Sequence, residues 1–389
     1  MKKLIATVVA PLAAMAIGGT PSLAKARTFV YVSAADAATI NAYSMDETTG
    51  ALSPLEPFKA DGKVMPMTVS PDKAHLYAVI RSQPFRVLSL DIDPQTGSLK
   101  QSAVAALPDS MPYVSTDPSG RLLFTASYGG NKIAVLPIGK DGLVTEGARQ
   151  VLATGRNAHA IVSDRSGKFV FATNLGSDLV LQFRLNGETG LLEANDPAAI
   201  NTKAGSGPRH LVLSPDNSSV YVLTELTGEV IHYRLDPEKG TLSEVDVVGS
   251  VQAAAGLEPG VAPPPPPAFN ATTAPAKPAD NGKPKIWAAD IAITPDGRYL
   301  YTTERTTSRI ALFKVAQGDG KLTYVANYET EKQPRGIRID PTGRFLIASG
   351  EKSDKLRVYS IDSNDGTLKP VAEAPVDAGA NWIEIVTLP

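Results

Sequence analysis

A turn recurs along this chain at a nearly constant interval, and a short recurring unit limits the folds open to a chain more than its composition does. The turn is written Ser70-Pro71-Asp72, Asp117-Pro118-Ser119-Gly120, Asp164-Arg165-Ser166-Gly167, Ser214-Pro215-Asp216, Thr294-Pro295-Asp296-Gly297 and Asp340-Pro341-Thr342-Gly343. Measured at the second turn residue, successive copies stand 47, 47, 50, 80 and 46 residues apart. Each lies between two apolar runs of strand character, such as His210-Leu-Val-Leu before and Val220-Tyr-Val-Leu after. Asp, Pro, Ser and Gly in such a place close a hairpin.

A second hairpin signal, Asp-x-x-x-Gly-x-Leu, follows in most units, as at Asp236 to Leu242, at Asp362 to Leu368 and within Asp91 to Leu99. Two hairpins give four strands in about 47 residues, the content of one propeller blade. Six copies of the turn are present. The C-terminal Asn381-Trp-Ile-Glu-Ile-Val repeats the first strand of a unit without the rest, and the N-terminal Phe29-Val-Tyr-Val-Ser supplies what is missing. The expected fold is therefore all-β: a seven-bladed β-propeller of four-stranded antiparallel blades, its ring closed by the N- and C-terminal strands. Closure hides sheet edges that an open array would expose and predicts one domain over residues 27–389. The interval of 80 exceeds the others by about 33 residues, and the stretch 253–285 within it holds Pro263 to Pro267 among Asn, Thr, Ala and Lys. That composition predicts an extended, solvated excursion between blades, with a lid over a site as its functional alternative.

Ahead of the first strand, Met1-Lys2-Lys3 precedes an apolar stretch from Leu4 to Ile17 and small residues at Ala24 and Ala26. This is the layout of a secretory signal peptide over residues 1–26, too short to span a bilayer comfortably. No later segment reads as a membrane span. The expected compartment is the bacterial periplasm. With no cysteine, the chain has no disulfide, thiolate metal site or cysteine nucleophile. Its 38 basic and 40 acidic side chains leave no global field to attract nucleic acid or anionic lipid. Any recognition of an anion has to be local.

Within a blade the start of the innermost strand and the end of the next meet at one face. Six residues before each mark stand Met65, Pro112, His159, Arg209, Ala289 and Arg335; ten after stand Arg81, Tyr128, Leu175, Glu225, Arg305 and Glu351. Two rows chosen by spacing alone thus gather four arginines, two glutamates and a histidine, whereas the strands between are mainly apolar. They predict a charged ring at one channel mouth, a place for a small-molecule ligand. Solvated strand ends or ion pairs between blades are the plainer reading of the same charges. His210, adjacent to Arg209, should point to the other face by strand alternation and reads as structural, and His75 and His232 read as structural or exposed. No Gly-x-Ser-x-Gly elbow, P-loop, Rossmann fingerprint or His-Glu-x-x-His stands out, and no spacing of histidines marks a metal site. Nothing calls for a cofactor or a protein partner.

At these residues the chain resembles the seven-bladed propeller lactonase family, which includes bacterial 6-phosphogluconolactonases and a fungal carboxy-muconate cycloisomerase. The resemblance rests on Gly207-Pro-Arg-His-Leu-Val-Leu-Ser-Pro-Asp, Tyr221-Val-Leu-Thr-Glu-Leu, Ala288-Ala-Asp-Ile-Ala-Ile-Thr-Pro-Asp-Gly-Arg and Pro334-Arg-Gly-Ile-Arg-Ile-Asp-Pro-Thr-Gly-Arg. It implies His159, Arg209, Glu225 and Arg305 as the catalytic group, leaving Arg81, Tyr128, Arg335 and Glu351 of the rows to hold substrate. Two departures are Asn157-Ala158-His159 where the family often has His-x-His, and Glu304 before Arg305 where asparagine is usual. The implied activity is hydrolysis of a sugar-type lactone, with Glu225 or His159 as base and the arginines at the developing oxyanion. A secreted member would meet unphosphorylated aldonolactones. A muconate-type cycloisomerase and a non-catalytic binding propeller are the alternatives.

Overall fold

The structure, a computed structural model, describes Leu4, residues 26–262 and residues 281–389. Apart from Leu4 and Ala26, the segment read as a signal peptide lies outside the described residues, and so does the proline run of the insertion. Seven antiparallel sheets form, six from the recurrent units and one from the two chain ends. Blade 1 joins Arg27–Ala34, Thr39–Met45 and Leu52–Pro54 to the last strand, Ala380–Leu388, with the short strand Phe58–Lys59 added beside Thr39–Met45. Blades 2 to 7 begin on the inner strands Val64–Val69, Tyr113–Thr116, Ala158–Ser163, Pro208–Leu213, Ala288–Ile293 and Pro334–Ile339. Every inner strand lies against the inner strands of both neighbouring blades, so the seven enclose a channel.

The recurrent turn owes its spelling to hydrogen bonds. Asp164 Oδ1 accepts the backbone N–H groups of Lys168 and Phe169 at 3.0 and 2.9 Å, while Oδ2 accepts from Ser166 N at 3.1 Å. Gly167 completes the turn at φ +70°, where a Cβ would be strained. Where serine opens the turn, Ser214 Oγ accepts from Ser219 N at 2.9 Å, Asp216 takes the next donor, and Asn217 occupies the positive-φ position. The second hairpin locks blade to blade. The hydroxyls of Tyr31, Tyr221 and Tyr301 donate to the carbonyls of Gly97, Gly320 and Gly366 in the next blade at 2.7–2.8 Å. Apolar clusters fill the space between neighbouring sheets, for example Tyr299, Leu312, Leu346 and Tyr359 between blades 6 and 7.

Closure rests on a ladder from Arg27 opposite Leu388 to Ala34 opposite Ala380, with one register shift between Ser33 and Ala34. At its end, Asp377 accepts from Thr39 Oγ1 at 2.6 Å and Asn41 Nδ2 at 2.7 Å. The insertion leaves blade 5 and returns to blade 6 through a pinned neck. Glu258 N donates to Pro284 O at 2.9 Å, Ile286 N donates to Glu258 O at 2.8 Å, and the Glu258 carboxylate pairs with Lys283 and Lys285. Removing residues 380–389 leaves Arg27–Ala34 with an unpaired edge and two inner strands without a neighbour. The truncated chain is expected to lose its cooperative thermal transition and to aggregate, as followed by circular dichroism and size-exclusion chromatography.

Candidate active site

The two rows read from the sequence meet at the mouth opposite the recurrent turns. In several inner strands the −6 residue sits in a register shift: His159 between Ala158 and Ala160, Arg209 between Pro208 and Leu211, and Arg335 between Pro334 and Gly336. A bulge adds a residue to one strand and re-aims its side chain. Here neighbouring hydroxyls hold the displaced backbone: Thr173 Oγ1 donates to Arg209 O at 2.6 Å and accepts from Ala160 N at 3.1 Å. Glu225 directly follows the strand Ser219–Thr224, and Arg305 follows Tyr299–Glu304.

Glu225 is clamped between two guanidinium groups. Arg209 Nε donates to its Oε2 at 2.7 Å, and Arg305 Nη2 forms an ion pair with its Oε1 at 3.1 Å. The arginines are in turn tied to backbone, Arg209 Nη1 to Ala289 O and Arg305 Nε to Trp287 O at 3.0 Å. Burial raises the Glu225 carboxyl, but Arg305, Arg209 and Arg335 outweigh it and hold the group below its ordinary value. Burial pushes Arg209, 1% exposed, down to about 10, with Glu225 opposing and Arg335 and Arg305 assisting; it stays charged at neutral pH.

His159 stands near enough to the clamp to feel the charge of Arg209 and Arg305, with its ring edge-on to Tyr128 at 5.7 Å and to His210 at 5.1 Å between centroids. Burial, followed by the charge of Arg209, holds its pKa well below the ordinary histidine value, so the imidazole is neutral. Its Nδ1 is buried without a partner. The other row residues pair apart from this group. Arg335 Nη1 meets Glu351 Oε1 at 3.2 Å, and Arg81 Nε donates to Ser110 Oγ at 3.0 Å. Burial and then Arg335 push Arg81 down to about 10. Four guanidinium groups against two carboxylates leave the mouth positive, which suits an anion or an oxygen acquiring charge. Beside Arg305 a cavity of about 470 Å³ is lined by Trp287, Ser308, Lys332 and Lys352 among others.

Strand alternation misplaced His210. The bulge takes in both Arg209 and His210, so His210 does not turn away; it lines the channel one layer below His159. Its neighbours Tyr113 and Asp290, which occupy the position after the −6 row in their own strands, went unnoticed, as did Trp382 in the closing strand. At that position Tyr113, His210 and Asp290 stand out as aromatic or ionisable beside Pro66, Ala160 and Gly336 of the other strands, and they were the available signal. Below them a cavity of about 560 Å³ opens toward the recurrent turns. His232 is structural, its Nδ1 paired with Asp246 at 2.9 Å and its Nε2 with Ser219 at 3.0 Å. His75 stacks on Tyr77 beside Asp91. Among the described residues no group of three or more His, Asp or Glu side chains is arranged to hold a metal ion.

A ring of seven blades with this mouth matches the family model "Lactonase, 7-bladed beta-propeller" over residues 28–385, and the chain belongs to that family of carboxylic-ester hydrolases. A 6-phosphogluconolactonase of Pectobacterium carotovorum is 37% identical over 359 residues, spanning 92% of this chain and 98% of its own. One from Serratia proteamaculans is 35% identical over 361 residues, spanning 92% and 99%. Among solved structures, the periplasmic gluconolactonase of Pseudomonas aeruginosa shares 26% identity at a TM-score of 0.78, covering 94% of this chain and 100% of that one.

Glu225→Ala leaves two largely buried guanidinium groups without the anion they share, so it is expected to cost about 3–5 kcal/mol in a denaturant titration. Because the Glu225 pKa is depressed on folding, its ionised form adds stability above the unfolded carboxyl value of about 4.3. That contribution fades as pH falls through the folded value. The loss of melting temperature in Glu225→Gln should therefore be large at neutral pH and shrink below about pH 4.

Proposed function

We propose that this chain is a secreted, periplasmic lactonase that hydrolyses an unphosphorylated aldonolactone, with His159 as general base and Arg209 and Arg305 as the electrophilic pair. The observation that carries the reading is the Arg209–Glu225–Arg305 clamp set against a neutral, buried imidazole. A carboxylate held ionised by two guanidinium groups is a weak base, and both its oxygens are engaged. Glu225 therefore orients the forks, and the proton falls to His159. With the lactone carbonyl oxygen at the free N–H groups of the arginines, His159 takes a proton from water as the water oxygen adds to the carbonyl carbon. The oxyanion forms against fixed positive charge. Its collapse breaks the ring C–O bond, His159 returns the proton to the departing alkoxide, and the hydroxy acid product ionises to its carboxylate by releasing its carboxyl proton to solvent.

The N-terminal segment and the likeness to a periplasmic gluconolactonase support the compartment and the substrate. Lys332 and Lys352 beside Arg305 are where a phosphate would be felt if the substrate carried one. The deciding experiment is pH-stat hydrolysis of gluconolactone and its 6-phosphate by residues 27–389. Turnover of gluconolactone well above the spontaneous rate, with at most a few-fold higher kcat/KM for the phosphate, is expected. A hundredfold preference for the phosphate would sink the unphosphorylated substrate, and no turnover of any lactone would sink the activity. His159→Gln should lower kcat by at least about 10²-fold. Because His159 protonates only well below its ordinary value, kcat/KM should stay level from about pH 8 down through the ordinary histidine value of about 6.5 and fall only well below it.

A further inference from the structure

Directly below the base, the channel holds a second histidine that this reaction does not use. His210 is 4% exposed, and its Nδ1 stands 2.8 Å from Asp290 Oδ1. Asp290 Oδ1 also accepts from Ile291 N at 3.0 Å, and Oδ2 from Ile337 N at 2.9 Å, in the neighbouring blade. A carboxyl group accepting from two backbone amides is an anion, so the shared hydrogen belongs to His210 Nδ1 and its Nε2 carries a lone pair. That Nε2 is buried and has no partner; the same is true of Nδ1 in His159. The two rings are edge-on at 5.1 Å, and no hydrogen bond joins them directly. Buried polar atoms in folded proteins almost always find a partner, often one water. Two unpartnered nitrogens on adjacent rings, one a fixed acceptor, ask for the same one.

We infer that Asp290 and His210 are positioning residues for His159: a water that donates to His210 Nε2 accepts from His159 Nδ1–H, fixing the tautomer whose Nε2 lone pair faces the mouth. The inference rests on His159 as the base. Tyr113 and Trp382 meet the His210 ring edge-on at 5.1 and 5.7 Å and hold its plane. The charges around the pair explain why such a link is needed. Arg209, Arg305 and Arg335 all oppose an imidazolium at His159, and Tyr128 is neutral. Around His210 stand Arg209, Arg335 and Asp290. The Arg338–Glu384 pair lies beyond Tyr113 at 2.6 Å and cancels itself. Asp290 is thus the anion that faces the developing imidazolium through His210. No proton is consumed along this path. The one taken from water at His159 Nε2 returns to the leaving alkoxide, and His210 and Asp290 end as they began.

With four histidines in the chain, selective ¹⁵N-histidine labelling of residues 27–389 and long-range ¹H–¹⁵N spectra can report each tautomer. The expected result is Nδ1–H at His159 in the wild type, moving toward a mixture in Asp290→Asn and in His210→Phe, which keeps an aromatic ring against Tyr113 and Trp382. On a lactone both variants should lose at least about 10²-fold in kcat with KM changed less than about threefold, as expected when a base loses its orienting partner. An Nε2–H tautomer at His159 in the wild type, or an unchanged tautomer in both variants whatever their rates, would overturn the inference. The wild-type spectrum remains decisive even if neither variant folds. If no lactone is turned over, tautomer coupling with intact folding still establishes the link, and only the role of His159 as a base falls.

Discussion

Seven twisted sheets share one axis only if the last is tied to the first, and here the tie is the ladder between Arg27–Ala34 and Ala380–Leu388. The register of that ladder fixes how far the closing strand extends toward the mouth. It also sets the position of Trp382, whose ring touches both Tyr113 and His210 across the channel. The innermost strand of blade 1 is thus also a wall of the channel. Functional side chains come from several other blades, and none of them could be placed to a fraction of an ångström on an open array.

Much of this was legible because the repeat is punctuated. Asp164 and Ser214 appear at equivalent turns for one reason, the capture of two or three backbone donors, and Gly167 and Asn217 share another, a positive φ. Counting from those turns put Arg209, Glu225, Arg305 and His159 at one mouth. Counting could not show which of them touch: Arg335 and Arg81 satisfy the same spacing yet pair with Glu351 and Ser110. His210 was lost to a local irregularity. Alternation along a strand assumes one residue per step, and the extra residue at Arg209 breaks that assumption. Asp290 was hidden differently, since its partner lies 80 residues away and only ring geometry brings them together.

The electrostatics of the mouth also follow from closure. Burying Arg209 is costly in isolation, and it is tolerated because Glu225, Ala289 O and Asp290 surround it. Burial, followed by the positive charge of the arginines, keeps His159 neutral. The same charges favour an oxyanion and disfavour a cation. One arrangement therefore selects both the protonation state of the imidazole and the sign of the charge that can form beside it.

The neck at Glu258 has a different kind of consequence. Its two legs are joined by backbone hydrogen bonds and by the Glu258 ion pairs, and Gly260 N donates to Leu226 O at 2.8 Å, one residue from the clamped carboxylate. Once such legs are fastened, lengthening the chain between them costs only loop entropy, which grows with the logarithm of length. No blade ladder has to change. The mouth thus carries a site where evolution can add or replace sequence next to the clamped carboxylate while the ring stays intact, a route by which one scaffold diversifies what sits at its mouth.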